Sequence, residues 1–135
     1  MTLGTITKLN WARWLPVCGC PHVLLPTCSC HNVLGYGMSE GIYQQSLEIE
    51  LSLRNIAYQS KVDIEVVYKE QTLAAVYRPD LLVFDEIVVE LKAVKTLAPE
   101  HEAQLFNYMR IIKKKIGYLI NFGASKELEW KRFAI

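Results

Sequence analysis

Arg78-Pro79-Asp80 and Glu90-Leu91-Lys92 are the residues of this 135-residue chain whose types and spacing could do chemistry. Two positions apart on a strand, Glu90 and Lys92 project from the same face. Val88 and Val94 share that face, so the two charges rise from an apolar surface, where an unpaired carboxylate is costly. A turn at Asp85-Glu86 folds the preceding segment back and can bring Asp80 opposite Glu90 or near it. Two carboxylates side by side repel each other, and a hard divalent cation with oxygen ligands, such as Mg²⁺, resolves the repulsion. Such a cation lowers the pKa of a bound water and polarises a phosphoryl oxygen. A lysine beside it can orient the water and stabilise developing negative charge. Taken alone, Glu90 and Lys92 also fit a surface salt bridge of little energetic weight, and spacing leaves the two readings open.

Two helical segments must present further polar groups. His101, Gln104 and Tyr108 fall at i, i+3 and i+7, and Glu40, Tyr43 and Leu47 share one helix face. Each has an ordinary alternative. Gln104 suits a solvated face, Tyr108 suits core packing, and Glu40 is favourable near a helix N-terminus.

The positioning elements follow from periodicity. Residues 40–56 have a helical pattern, with Tyr43, Leu47, Leu51 and Arg54 in a stripe that Ile42 and Ile49 widen. Residues 62–68 alternate as a half-buried strand, Lys69-Glu70 turns, and residues 72–77 return as a second strand. Residues 81–84 are apolar, residues 87–94 form a third strand, Pro99 opens a helix over 100–114, and 116–122 is a buried strand closed by Gly123. Residues 128–133 suit one more strand. The order α-β-β-β-α-β-β predicts an α/β fold with a mixed sheet flanked by helices, antiparallel hairpins first and a helical crossover after.

The same residues carry a resemblance. Gly37-Met38-Ser39-Glu40-Gly41-Ile42-Tyr43 matches G-x-x-E-x-x-Y, and Pro79-Asp80 with Glu90-Leu91-Lys92 matches the PD-(D/E)xK nuclease motif. Gln104-Leu105-Phe106-Asn107-Tyr108 matches the Q-x-x-x-Y of RecB-type nucleases, and Ile120-Asn121-Phe122-Gly123 resembles the family's terminal strand. Short motifs recur by chance, but four in order on compatible elements are a strong signal. The chain therefore resembles the GxxExxY family of the PD-(D/E)xK nuclease superfamily from about His31 to the C-terminus.

The resemblance implies a restriction-endonuclease-like core and metal-dependent hydrolysis of phosphodiester bonds in nucleic acid, DNA first, with Mg²⁺ or Mn²⁺ as cofactor. Carried over residue by residue, Asp80 and Glu90 are metal ligands, Glu40 is an additional acidic metal-site residue, and Lys92 is the catalytic lysine. Gln104 helps hold the lysine or the phosphate, and Tyr108 and Tyr43 support the site. A domain this small needs a second copy to cut both strands, so a homodimer is possible. The alternative is a catalytically silent nuclease fold that binds nucleic acid or a protein partner.

Composition frames these readings. Apolar residues make up 51% and the net charge is +1, which fits a globular chain and removes non-specific coating of DNA or anionic membrane as the function. No apolar run spans a bilayer or resembles a signal peptide, so the expectation is an intracellular protein, cytoplasmic or nuclear, with reduced cysteines. All fourteen acidic residues lie at or after Glu40, whereas residues 1–39 hold all four cysteines. Residues 1–30 read as an irregular Cys- and Pro-rich extension, and 31–135 as the nuclease-like domain. The family pattern would lead a helix into His31, so the extension is a departure from it. Cys18, Cys20, Cys28 and Cys30, with His22 and His31 nearby, invite zinc and a third reading as a zinc-organised interaction protein. C-x-C is tighter than structural zinc pairs usually are, and free cysteines are the plainer reading. Lys113-Lys114-Lys115 suits a helix C-terminus, or a phosphate contact if that end lies beside the cleft.

Overall fold

The structure, a computed structural model, describes residues 2–6, 20–125 and 127–135. In chain order its elements are β1 (Thr2–Ile6), α1 (Cys20–Leu34), α2 (Glu40–Leu53), β2 (Tyr58–Ser60), β3 (Ile64–Tyr68), β4 (Gln71–Tyr77), β5 (Leu81–Val83), β6 (Ile87–Lys92), α3 (Pro99–Ile112), β7 (Ile116–Asn121) and β8 (Leu128–Ala134). Six strands form one mixed sheet in the order β1-β8-β7-β6-β5-β2, and β3 and β4 form a separate two-stranded sheet. Among the described strands only β6 and β7 run parallel, as the intervening helix requires, and every other pair is antiparallel. This is the mixed α/β architecture expected from the sequence, consistent with a restriction-endonuclease-like fold.

Alternation along β6 divides the core. Val89 and Leu91 enter one cluster with Val23, Leu24 and Cys30 of α1 and Tyr43, Leu47 and Leu51 of α2. Val88 enters a second, with Leu105 and Met109 of α3 and Tyr77 of β4. The sheet is thus covered by α1 and α2 on one face and by α3 on the other. Among the described residues, no helix is long and apolar enough to cross a membrane.

The structure departs from the irregular reading of residues 1–30. Thr2–Ile6 pairs antiparallel with β8, and a helix begins at Cys20. Val23, Leu24, Thr27 and Cys30 are all buried, at i, i+1, i+4 and i+7, so α1 does carry a helical period. Cysteine and threonine stand where leucine would normally mark the stripe, and Pro26 sits inside the helix, which hid it.

Smaller differences have local causes. α2 ends at Leu53 rather than 56, and Ile42 and Ile49 are exposed, so its buried face is narrower than expected. Among the described residues, the strands expected over 62–68 and 72–77 pair only with each other, through a tight turn in which Lys69 and Glu70 both take positive φ. β6 stops at Lys92 because the next backbone groups go to a side chain. The Asn121 amide accepts from Val94 N (3.0 Å) and donates to Val94 O (2.8 Å).

Asn121 is fully buried and also accepts from Gly123 N at 2.9 Å, which folds the end of β7 against the segment following Lys92. The fit leaves no room for a side chain at residue 123, since a Cβ there would lie 2.3 Å from Val94 O and 2.4 Å from Val94 N. Backbone cannot rotate away as a side-chain tip can. Gly123→Ala is therefore expected to destabilise the protein by about 2–3 kcal/mol, read as a lowered urea midpoint at unchanged slope.

Candidate active site

The β5–β6 hairpin sets the acidic pair. Leu81 pairs with Val89 and Val83 with Ile87, so continuing the register places Asp80 opposite Glu90. Phe84 and Asp85 both adopt positive φ in the connecting turn, closed by Glu86 N donating to Val83 O at 3.1 Å. Asp80 Oδ2 accepts from Leu91 N at 2.8 Å, which locks one carboxylate oxygen against β6 between Glu90 and Lys92. The Asp80 carbonyl accepts from the Gln44 amide at 2.9 Å, so α2 holds the same residue from behind.

Glu90 receives a hydrogen bond from the Tyr77 hydroxyl at 2.6 Å. Burial pushes its carboxyl up to about 7, helped by the charge of Asp80 and opposed by the Tyr77 hydrogen bond. Tyr77 is itself pushed well above the ordinary phenol range by burial and by Glu90, so it stays a proton donor. The rings of Tyr77 and Tyr108 stack at 3.8 Å and 8°, so Tyr108 on α3 braces the residue that holds Glu90. The expected Glu90–Lys92 salt bridge does not form: among the described residues Lys92 is in no ion pair.

Lys92 instead faces a cleft of about 270 Å³ whose lining includes Tyr77, Arg78, Glu90, His101, Gln104 and Tyr108. Gln104 makes no hydrogen bond among the described residues and is exposed to the cleft. The His101 ring nitrogen Nδ1 accepts from Ala98 N at 3.1 Å, leaving Nε2 as the remaining polar atom of the ring.

Glu40 is exposed in the first turn of α2, and the Lys61 ammonium feels its charge together with those of Asp80 and Glu90. Tyr43 lies elsewhere, fully buried on the opposite face of the sheet and stacked on Phe122 at 4.2 Å and 7°. Its hydroxyl donates to Gly35 O (2.7 Å) and accepts from Met38 N (3.2 Å), so it fixes the loop that delivers Glu40. Gly37 takes φ +97° in that loop, which a residue with a Cβ would resist. The glycine, glutamate and tyrosine of this motif are thus a turn, its cargo and its latch.

Several neighbours of the acidic pair went unread in the sequence. Lys61 binds Asp80 at 2.7 Å, through a strand, β2, too short to show a period. Gln44 and Tyr77 act across 36 and 13 residues, and only Tyr77, a strand aromatic three positions before Asp80, offered a local clue.

The lysine run lies at the wrong end for a phosphate contact in this cleft. Lys113 ends α3 with φ 59°, and Lys114 pairs with Asp85 in the turn before β6, whereas Glu90 and Lys92 lie at the far end of β6, which runs roughly 16 Å from Ile87 to Lys92.

The described cysteines belong to the core. Burial pushes Cys28 up to about 11 and Cys30 up to about 12, so in the metal-free protein both are protonated thiols at neutral pH. Cys18 and the side chain of Cys20 lie outside the described residues. Among the described residues, no group of three or more His, Cys, Asp and Glu could hold a metal ion.

Two converging carboxylates remain a fitting donor set for one particular class of ion. Mg²⁺ keeps several waters and is commonly bound by one or two carboxylates plus substrate phosphate, so it needs no third side chain. The upward push on Glu90 comes first from burial and then from the charge of Asp80, and a bound cation would offset both.

Comparison with known proteins gives one match: the family model described as the PD-(D/E)XK nuclease superfamily matches residues 22–133. No curated protein and no solved structure matches the chain.

Proposed function

Because the chain belongs to the PD-(D/E)XK nuclease superfamily, we propose that it is a divalent-metal-dependent nuclease that hydrolyses phosphodiester bonds, with DNA as the first substrate to test. The single observation that carries this reading is the set of groups around β6. Asp80 and Glu90 meet across one hairpin, and Lys92, in no ion pair among the described residues, faces a cleft beside them.

In this reading Asp80 and Glu90 hold Mg²⁺ or Mn²⁺, with Glu40 able to add charge from the rim. The bound ion would supply a Lewis acid for the phosphoryl oxygen and an acidified water. Lys92 orients the attacking water or neutralises charge on the phosphoryl oxygens as the P–O bond to the leaving nucleotide breaks. Its lack of a carboxylate partner among the described residues supports that role, since a salt-bridged ammonium would have to be released first. Gln104 contacts the phosphate or the lysine, and Tyr108 acts through Tyr77 on the orientation of Glu90. Tyr43 supports the site only through the loop before α2. The motif resemblance supports a finer reading as a member of the GxxExxY group, with the Q-x-x-x-Y of RecB-type nucleases.

The test is incubation of the purified protein with single-stranded DNA, double-stranded DNA and RNA in Mg²⁺ or Mn²⁺, with a chelator control. Metal-dependent cleavage of any of the three is the expected result. Binding without cleavage under every condition would favour the silent binding module instead.

A further inference from the structure

Asp80 does not present two free oxygens. Oδ2 is occupied by the Leu91 amide at 2.8 Å, and the Lys61 ammonium lies 2.7 Å from Oδ1. The backbone of Lys61 is tied to the same residue, its N–H donating to Asp80 O at 3.2 Å with φ at 53°. The ammonium is therefore held over the acidic pair by its own main chain. Its stem is free, with the Lys61 side chain 55% exposed against 16% for Asp80. Among the described residues Lys92, on the cleft side, has no such partner.

The two lysines are thus not equivalent. We propose that Lys61 is the resident cation of the acidic site, occupying the Asp80 oxygen that a divalent ion takes, so that metal entry must displace it into solvent. This rests on the metal-dependent reading above and adds to it a built-in competitor. A lysine suits that role better than an arginine, because a compact ammonium on a flexible four-carbon stem can leave without breaking a bidentate fork. With its counter-cation in place, the metal-free protein keeps two facing carboxylates without collapsing the hairpin register.

The experiment uses the full chain. Mn²⁺ affinity is measured by calorimetry for the wild type, Lys61→Met, Lys61→Arg and Asp80→Asn. Amine acetylation of Lys61, mapped by mass spectrometry, is measured in the wild type and Asp80→Asn with and without Mn²⁺. Lys61→Met should bind Mn²⁺ about fivefold more tightly or better, the scale of losing one partly exposed competing ion pair. Lys61→Arg, which keeps the charge, should stay near or below the wild-type affinity. Acetylation of Lys61 in the wild type should rise on adding Mn²⁺, and in Asp80→Asn it should already be high without metal. Removing any nearby positive charge raises cation affinity, so the acetylation change is the readout that reports displacement itself. Equal or weaker Mn²⁺ binding by Lys61→Met, or acetylation in the wild type that ignores saturating Mn²⁺, overturns the displacement. Mn²⁺ binding that Asp80→Asn abolishes and Lys61→Met leaves unmoved sinks this inference alone. A wild type that binds no Mn²⁺ at all sinks the metal-dependent reading and the inference with it.

Discussion

Lys92→Ala is expected to slow phosphodiester cleavage by roughly 10²–10³-fold, the scale of deleting one preorganised electrostatic group from an active site. DNA affinity, measured with Ca²⁺ in place of Mg²⁺, should stay within a few-fold of the wild type. The split follows from where the charge matters. An ammonium beside the scissile phosphate gains most when negative charge builds in the transition state, so its loss falls on the rate rather than on ground-state binding. The fold should tolerate the change, because Lys92 is in no ion pair among the described residues and its removal strands no buried carboxylate. Glu90 keeps its hydrogen bond from Tyr77. Lys92→Arg should rescue poorly, since a planar guanidinium cannot take the compact place of an ammonium. Nicking rate and affinity measured on the same preparations decide the matter. Wild-type cleavage by Lys92→Ala would remove the central residue of the nuclease reading.

Glu90→Gln should separate stability from metal binding in opposite directions. The Glu90 carboxyl is pushed up to about 7 from an ordinary 4.5. A carboxyl raised in the folded state favours the protonated form, so its contribution to stability is fully present below pH ~4.5 and is lost as pH rises through about 7. Glutamine does not titrate, keeps an acceptor for Tyr77 and removes the repulsion with Asp80. Between pH 5 and pH 8 the metal-free wild type should therefore lose up to roughly 3 kcal/mol that the variant retains. Saturating Mn²⁺ should restore the wild type at pH 8, because the ion stabilises the ionised pair, and should leave the variant unchanged. Its Mn²⁺ affinity should fall by about 100-fold or more, as loss of one of two carboxylates removes charge and a ligand together. Urea unfolding at the two pH values, with and without Mn²⁺, reads both effects. Parallel pH dependence in the two proteins, with unchanged Mn²⁺ binding, would show that Glu90 is neither strained nor a ligand.

The parts of this molecule legible in its sequence are those whose signal is local. Period-2 alternation and a two-residue spacing put Glu90 and Lys92 on one strand face, and the Asp85-Glu86 turn predicted the hairpin that sets Asp80 opposite Glu90. Helical spacing likewise placed Gln104 and Tyr108 on one side of α3, and both line the cleft. What stayed hidden depends on contacts that no window of residues contains. Lys61 reaches Asp80 only because β2 pairs with β5, and β2 has three residues, too few to show any period. α1 was missed for another reason. Its core stripe is written in valine, leucine, threonine and cysteine, so burial was present without the usual apolar vocabulary. Tyr43 was legible as a motif residue but not as a latch, because its partners are backbone atoms of a loop that has no pattern of its own.

The hairpin that unites Asp80 with Glu90 has a consequence for how the protein folds. Ten residues separate the two carboxylates in the chain, whereas Lys61 lies 19 residues from Asp80 and must arrive through a different strand pair. A hairpin closes in about 1–10 μs, ahead of more distant pairings that carry a larger loop-closure cost. The nascent hairpin therefore meets its own like charges before any counter-cation is in place, and like charges directly opposite on neighbouring strands oppose pairing. The most local contact in the site is also the one the early chain is least ready to make. Refolding of the metal-free protein is therefore expected to carry an electrostatic cost at this hairpin, which protons or divalent ions relieve.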